Sequence, residues 1–234
     1  MFKKSFKAAF PLTLPVMAGY LVLGIGFGVL LQRAGYGVEW ALLMSFTIYA
    51  GSMQYVGVSL LSGGVSLLNA LIMTLTVNAR YLFYGVSMLN RYKGLGWKKG
   101  ILAFELTDET YSILCTTKVP PGIDRGTFYL MVSVLNQSYW IFGSCIGSLI
   151  GATFHFDSAG MDFSMTALFV VLFVEQWIKE KENRLLAIIG VSVSVISLLV
   201  LGADDFIVPA IILTVVILCL LRRPFENKGG IKNE

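Results

Sequence analysis

The chain has 234 residues, of which 56% are hydrophobic and 14% charged; an average soluble domain carries about 25% charged residues. Its apolar runs are too long for a soluble core, so the sequence reads as an all-α, polytopic membrane protein. The net charge of +4 comes from 18 basic and 14 acidic residues. Many of the basic ones fall in short connections, where they set orientation in a bilayer and carry no implication of a nucleic-acid partner.

The N-terminus, MFKKSFKAAF, is basic and leads into a long apolar run. A signal peptide would have a shorter apolar core and a small-residue cleavage site, so this reads as a retained first helix with its lysines in the cytoplasm. The first apolar run is roughly Phe10–Leu31. The second, Trp40–Leu61, is interrupted by Tyr49-Ala-Gly51-Ser52-Met-Gln54. Gly51, Ser52 and Gln54 fit either an unwound substrate site at membrane depth or a continuous helix whose small polar residues pack.

The third run, Val65–Leu89, is long enough to cross a ~30 Å hydrocarbon core as one helix. It carries a single charge, Arg80, near its middle, with Asn78 close by. Arginine at that depth costs at least ~2.5–3.5 kcal/mol unless it is paired, hydrated or able to reach a surface. Helical spacing puts Thr76, Arg80 and Tyr84 on one face and Thr74, Asn78 and Tyr81 on another. These faces line a passage, or Arg80 snorkels to a nearby surface.

A basic loop follows, Asn90–Gly100, with Arg91, Lys93, Lys98 and Lys99. The fourth segment, Ile101–Thr117, is short; its spacing puts Glu105, Asp108, Glu109 and Ser112 on one helical face. The three carboxylates pair with Arg80, line a vestibule or carry a proton, or else lie in solvent at the membrane edge. Lys118–Gly126, with Pro120-Pro121, reads as a turn. The fifth run, Thr127–Phe154, holds Asn136, Gln137, Ser138 and Tyr139 near its centre, a patch suited to a polar cavity or to bonding between helices.

The acidic connection His155–Asp162, with Asp162 placed as an N-terminal cap, leads to the sixth run, Phe163–Ile178. Glu175 and Gln176 read as its solvated end, beside Lys179–Arg184. The seventh run is Leu185–Gly202. Ala203-Asp-Asp205 separates it from the eighth, Phe206–Leu221, and residues 222–234 form a cytoplasmic tail.

The two halves resemble each other. Tyr20-x-x-x-Gly24-x-x-x-Gly28 and Tyr139-x-x-x-Gly143-x-x-x-Gly147 lie 119 residues apart, about half the chain, and Gly151 extends the second motif. These glycines read as helix-packing positions. Repeat 1 spans about residues 10–117 and repeat 2 about 127–221, in a single transporter domain of about six to eight transmembrane segments. If the second and sixth segments are broken or re-entrant, every basic connection falls on one side and each half crosses three times. The repeats then have inverted topology, with both termini cytoplasmic.

Cys115, Cys145 and Cys219 lie inside apolar runs at no metal-ligand spacing, and His155 is the single histidine, so neither a zinc site nor a disulfide framework is expected. HExxH, P-loop and G-x-S-x-G motifs are missing, which argues against an enzyme and against an ATP-driven motor. No cofactor is expected.

Several stretches together resemble the AzlC/YgaZ family of branched-chain amino acid exporters. They are Pro15 with Gly24 and Gly28, Ala41-Leu-Leu-Met-Ser45, Tyr49-Ala-Gly51-Ser-Met-Gln54, Val77-Asn78-Ala-Arg80-Tyr81-Leu-Phe-Tyr84-Gly85, Thr107-Asp108-Glu109-Thr110 and Gly160-Met-Asp162-Phe163-Ser-Met-Thr-Ala-Leu168-Phe169. The resemblance implies export of leucine, isoleucine or valine across the bacterial inner membrane with a small partner of the AzlD/YgaH type. An accessory role, in which the partner does the transport, is the alternative. The expected translocation residues are Gly51, Ser52, Gln54, Asn78, Arg80, Asn136 and Gln137, with Glu105, Asp108 and Glu109 as proton or charge carriers.

Overall fold

The computed structural model describes residues 2–64, 66–154, 170, 173–174, 177–178, 184–202, 206, 209–210, 212–214 and 216–217. His155, Asp162, Phe163, Glu175, Gln176, Cys219 and the tail from residue 222 lie outside them, as does most of the sixth run. Among the described residues the regular structure is entirely helical. The helices are α1 (Phe2–Arg33), α2 (Val38–Thr47), α3 (Gly51–Ser62), α4 (Leu67–Met88), α5 (Lys98–Phe104), α6 (Asp108–Thr116), α7 (Arg125–Thr153) and α8 (Arg184–Leu201). Residues 1–165 and 166–234 form two compact units; α1–α7 belong to the first and α8 to the second.

By length and composition, α1 and α8 are each able to cross a membrane. Helix α4, with 22 residues, and α7, with 29, also have the length at ~1.5 Å per residue, but both carry polar side chains near their centres. Helix α4 turns Leu68, Leu71, Leu75, Leu82 and Val86 outward. A stripe of that kind is out of place in water and natural against lipid tails.

The second run is broken, and it folds back. Tyr49 sits at φ 42° between α2 and α3, a left-handed conformation that a bulky residue seldom adopts. Ser45 and Gln54 are nine residues apart, about 13 Å along a straight helix, yet Gln54 Nε2 donates to Ser45 Oγ at 3.3 Å. The Met44 methyl group likewise lies against Gly57, across the same bend. Helices α2 and α3 therefore form a helical hairpin with its tip at Ile48–Ala50.

The fourth segment differs from the sequence expectation. It is not one helix but two, α5 and α6, interrupted at Glu105-Leu106-Thr107. The outer ends of this second hairpin are held together. Lys98 Nζ meets Asp124 Oδ2 at 3.0 Å, Arg125 Nη2 donates to the Lys93 carbonyl, and Arg91 donates to the Leu114 and Cys115 carbonyls at the end of α6. Its apolar flank packs with Ala9, Met88, Phe128, Tyr129 and Val132, near the start of α1 and α7 and the end of α4. The α2–α3 hairpin belongs to the opposite end, between the end of α1 and the start of α4.

Helices α1 and α7 pack through their glycines. The Tyr20 and Leu21 carbonyls face Gly143, Ile25 faces Gly147, and Val29 and Gln32 face Gly151. Residue numbers rise together along both helices, so the two run in the same direction. Corresponding helices of inverted repeats run in opposite directions. The expected inversion therefore does not hold for the helices that carry the shared motif. The reason is the fourth segment: it turns back where a single crossing had been expected.

Asp124 caps α7. Its Oδ2 accepts from the Thr127 N–H (2.8 Å), from Thr127 Oγ1 (2.7 Å) and from Lys98 Nζ. The Thr127 hydroxyl first, then Lys98 and the Thr127 amide, lower this carboxyl from its ordinary 3.8 to about 2. A depressed carboxyl stabilises the fold above its unfolded-state value and stops doing so as pH falls toward the folded-state value. Asp124→Ala should cost about 1 kcal/mol at neutral pH. Asp124→Asn should keep the cap but lose the acid-dependent step between pH 4 and 2, read from thermal unfolding in detergent.

Candidate functional site

The two hairpin tips meet at Arg80. From the middle of α4, Arg80 Nη1 pairs with Asp108 Oδ2 at 2.5 Å, and Nη2 donates to Ser52 Oγ at 3.1 Å. Ser52 lies in the first turn of α3 and Asp108 opens α6. Arg80 is thus paired with a carboxylate and a hydroxyl from the two hairpins. Its guanidinium carbon lies 5.2 Å from the Tyr81 ring centre, within range of a cation–π contact. The break before Asp108 is what points its carboxylate at α4, because Thr107 caps α6 by accepting from the Thr110 N–H.

The next residue of the same tip points the other way. The Tyr20 hydroxyl of α1 lies 2.6 Å from Glu109 Oε2 and 2.8 Å from Thr107 Oγ1. Thr107 Oγ1 donates to Thr110 Oγ1, which also receives Asn136 Nδ2 from α7 at 3.0 Å. One turn of α6 therefore ties α1, α4 and α7 together. Glu105, at the end of α5, is buried, and its Oε2 has no hydrogen-bond partner among the described residues. Asn78 Oδ1 and Asn136 Oδ1 are likewise buried without a partner.

Gln54 holds the first tip. It is fully buried, and its Oε1 accepts from Trp140 Nε1 at 2.8 Å while its Nε2 donates to Ser45. Trp140 stands edge-on to Tyr20 and stacks on Phe27, which meets Tyr55 edge-on. A Cβ on Gly51 would lie 3.0 Å from the Trp140 ring, so any larger residue there requires the ring to shift by a few tenths of an ångström. Gln137 reaches the Phe46 carbonyl at a long 3.4 Å. Trp140→Phe should leave the buried Gln54 oxygen unsatisfied and cost about 1–3 kcal/mol, measured as a fall in thermal stability that Gln54→Leu added to it partly recovers.

Of the expected site residues, Ser52, Arg80 and Asp108 converge on one ion pair, and Glu109 and Asn136 join the neighbouring hydroxyl cluster. Gln54, Gly51 and Gln137 support the first hairpin tip. Tyr20, Thr107, Thr110 and Trp140 were not expected. Tyr20 figured in the sequence only as a mark of the repeat. Among the described residues no three of His, Cys, Asp and Glu sit close enough to hold a metal ion.

The AzlC protein family model matches residues 15–154, which include all of these groups. The chain is 45% identical over 223 residues to "Branched-chain amino acid transport protein AzlC" of Bacillus subtilis, covering 95% of this chain and 87% of that one. It is 45% identical over 225 residues to an uncharacterized membrane protein of Helicobacter pylori, covering 96% of this chain and 98% of the relative. To "Inner membrane protein YgaZ" of Escherichia coli it is 28% identical over 166 residues, 68% of this chain and 67% of that one. No solved structure matches it. A family match over more than half the chain, with 45% identity across nearly all of it, places this membrane protein in the AzlC family.

Proposed function

We propose that the chain is a secondary transporter that moves branched-chain amino acids out of the cell, working with a small AzlD-type membrane subunit. The observation that carries this is Arg80, a cation in the middle of a long helix, held where two opposed half-length hairpins meet. Interrupted helices facing each other at membrane depth supply backbone and side-chain groups that a continuous helix keeps to itself. In this reading Arg80, with Ser52 and Asn78, receives the substrate carboxylate. Glu105 and Glu109 on the second tip are the candidates for carrying a coupling proton, and the tyrosine-rich face of α4 meets the apolar side chain. The kinship to a branched-chain amino acid transport protein supports the substrate class; the outward direction follows the family resemblance.

Both hairpins would then be re-entrant. Lys3, Lys4 and Lys7 on α1, together with Arg91, Lys93, Lys98, Lys99 and Arg125, gather at one end of the first unit, which the positive-inside rule assigns to the cytoplasm. Helices α1 and α7, which carry the shared motif at the 119-residue offset, would then be repeats of the same sense. Purified chain, alone and with its small partner, would be reconstituted in liposomes loaded with labelled isoleucine. Efflux that requires this chain supports the proposal. Efflux from the partner alone would leave this chain an accessory subunit.

A further inference from the structure

The Arg80–Asp108 pair is only partly made. One carboxylate oxygen meets one guanidinium nitrogen, while the buried Asp108 Oδ1 and Arg80 Nε make no hydrogen bond of ordinary geometry among the described residues and have only the neighbouring Tyr84 and Tyr81 beside their groups. Each side chain is still 31% exposed, so one flank of the pair is open. Tyr81 and Tyr84 flank it, with Tyr84 stacked on Tyr111 at 4.6 Å. Two opposite charges thus stand side by side, joined through a single contact and open on one flank, against an aromatic surface.

We infer that the transported zwitterion inserts into this ion pair, so that the pair itself selects α-amino acids over their singly charged analogues. The inference rests on the reading of Arg80 as the carboxylate site. An α-amino acid carries its carboxylate and ammonium on one carbon. The carboxylate takes the guanidinium donor that Asp108 releases, and the ammonium takes the Asp108 oxygen that Arg80 releases. Every charge keeps a counter-charge before and after loading. A keto acid would occupy Arg80 and strand Asp108; an amine would occupy Asp108 and strand Arg80. Either leaves a charge unpaired at membrane depth, which the surroundings penalise. In the observed pair the Asp108 carboxylate occupies the guanidinium position that the substrate carboxylate would take.

The test is ligand-induced thermal stabilisation of the full chain, co-purified with its small subunit in lipid nanodiscs. The probes are L-leucine, 4-methyl-2-oxopentanoate and 3-methylbutylamine. Wild type should respond to leucine and to neither analogue. Asp108→Asn should bind leucine about 10- to 100-fold more weakly and gain a response to the keto acid. Arg80→Gln should lose leucine and gain the amine. The neutral Arg80→Gln/Asp108→Asn pair, which strands no charge, should fold and answer to none of the three. If wild type takes the keto acid as well as leucine, or Asp108→Asn keeps wild-type leucine affinity, insertion is wrong and the Arg80 site still stands. Unchanged leucine binding in Arg80→Gln would overturn the Arg80 site as well. Wild-type discrimination among the probes decides the matter even if a single variant fails to fold.

Discussion

Gly147→Ala is expected to be among the most destabilising single substitutions in the protein. A Cβ built at Gly147 falls on the Ile25 carbonyl oxygen and within 2.6–2.7 Å of the Ile25 Cα and carbonyl carbon. At Gly28 it falls on the Ser144 carbonyl oxygen, with the Ser148 nitrogen at 2.5 Å. These neighbours are backbone, so no rotamer change relieves the overlap and α1 and α7 must move apart. Ordinary overpacking costs about 1–3 kcal/mol; forcing two helices apart should exceed that, against a total stability of about 5–15 kcal/mol.

The same face supplies its own controls. At Gly24 and Gly151 an added Cβ lies 3.0–3.3 Å from its neighbours, so alanine there should weaken the fold without abolishing it. At Gly19 nothing lies within 4 Å, and alanine should be neutral or stabilising by up to about 1 kcal/mol through helix propensity. Size-exclusion profiles of tagged variants, followed by thermal unfolding, should rank them Gly147 and Gly28 worst, Gly24 and Gly151 intermediate, Gly19 unaffected. Equal tolerance at Gly19 and Gly147 would mean the helices do not pack in this register.

The sequence marked the packing faces of α1 and α7, because glycines at every fourth position leave a groove that only another backbone fills, but it did not say that these two faces meet. It also marked the first hairpin tip, where Gly51 and Ser52 interrupt an apolar run. It did not reveal the second tip, and the topology went wrong there. Glu105, Asp108 and Glu109 at spacings of three and four fit one helical face, and neither glycine nor proline marks a break. A weaker signal was present: Thr107 followed by Asp108 and Glu109 is the chemistry of a helix start, a capping hydroxyl with carboxylates in the first turn. Read that way, the short segment splits into two half-helices and the conflict between basic loops and crossings resolves without inversion. Tyr20 was hidden for another reason. Its partners Thr107 and Glu109 lie 87 and 89 residues away, and no local pattern encodes a contact of that range.

Arg80→Ala should reduce isoleucine efflux to background while Arg80→Lys retains a small fraction. Arginine offers a planar set of donors that a carboxylate engages at two points, whereas lysine is a single point charge that cannot reach Asp108, Ser52 and a substrate together. Each charge-assisted bond lost is worth about 1.5–3 kcal/mol, so two lost bonds weaken substrate binding by at least about a hundredfold. The single alanine variant also strands Asp108. Breaking a buried pair costs about 3–5 kcal/mol, and the partial exposure of both side chains discounts that toward the lower end or below. Loss of efflux in Arg80→Ala alone would therefore mix a transport defect with a folding defect. Arg80→Ala combined with Asp108→Asn removes the stranded charge and should regain thermal stability, yet efflux should stay at background. Recovery of transport along with stability would mean that Arg80 serves only to neutralise Asp108, and that the passage for the amino acid lies elsewhere in the protein.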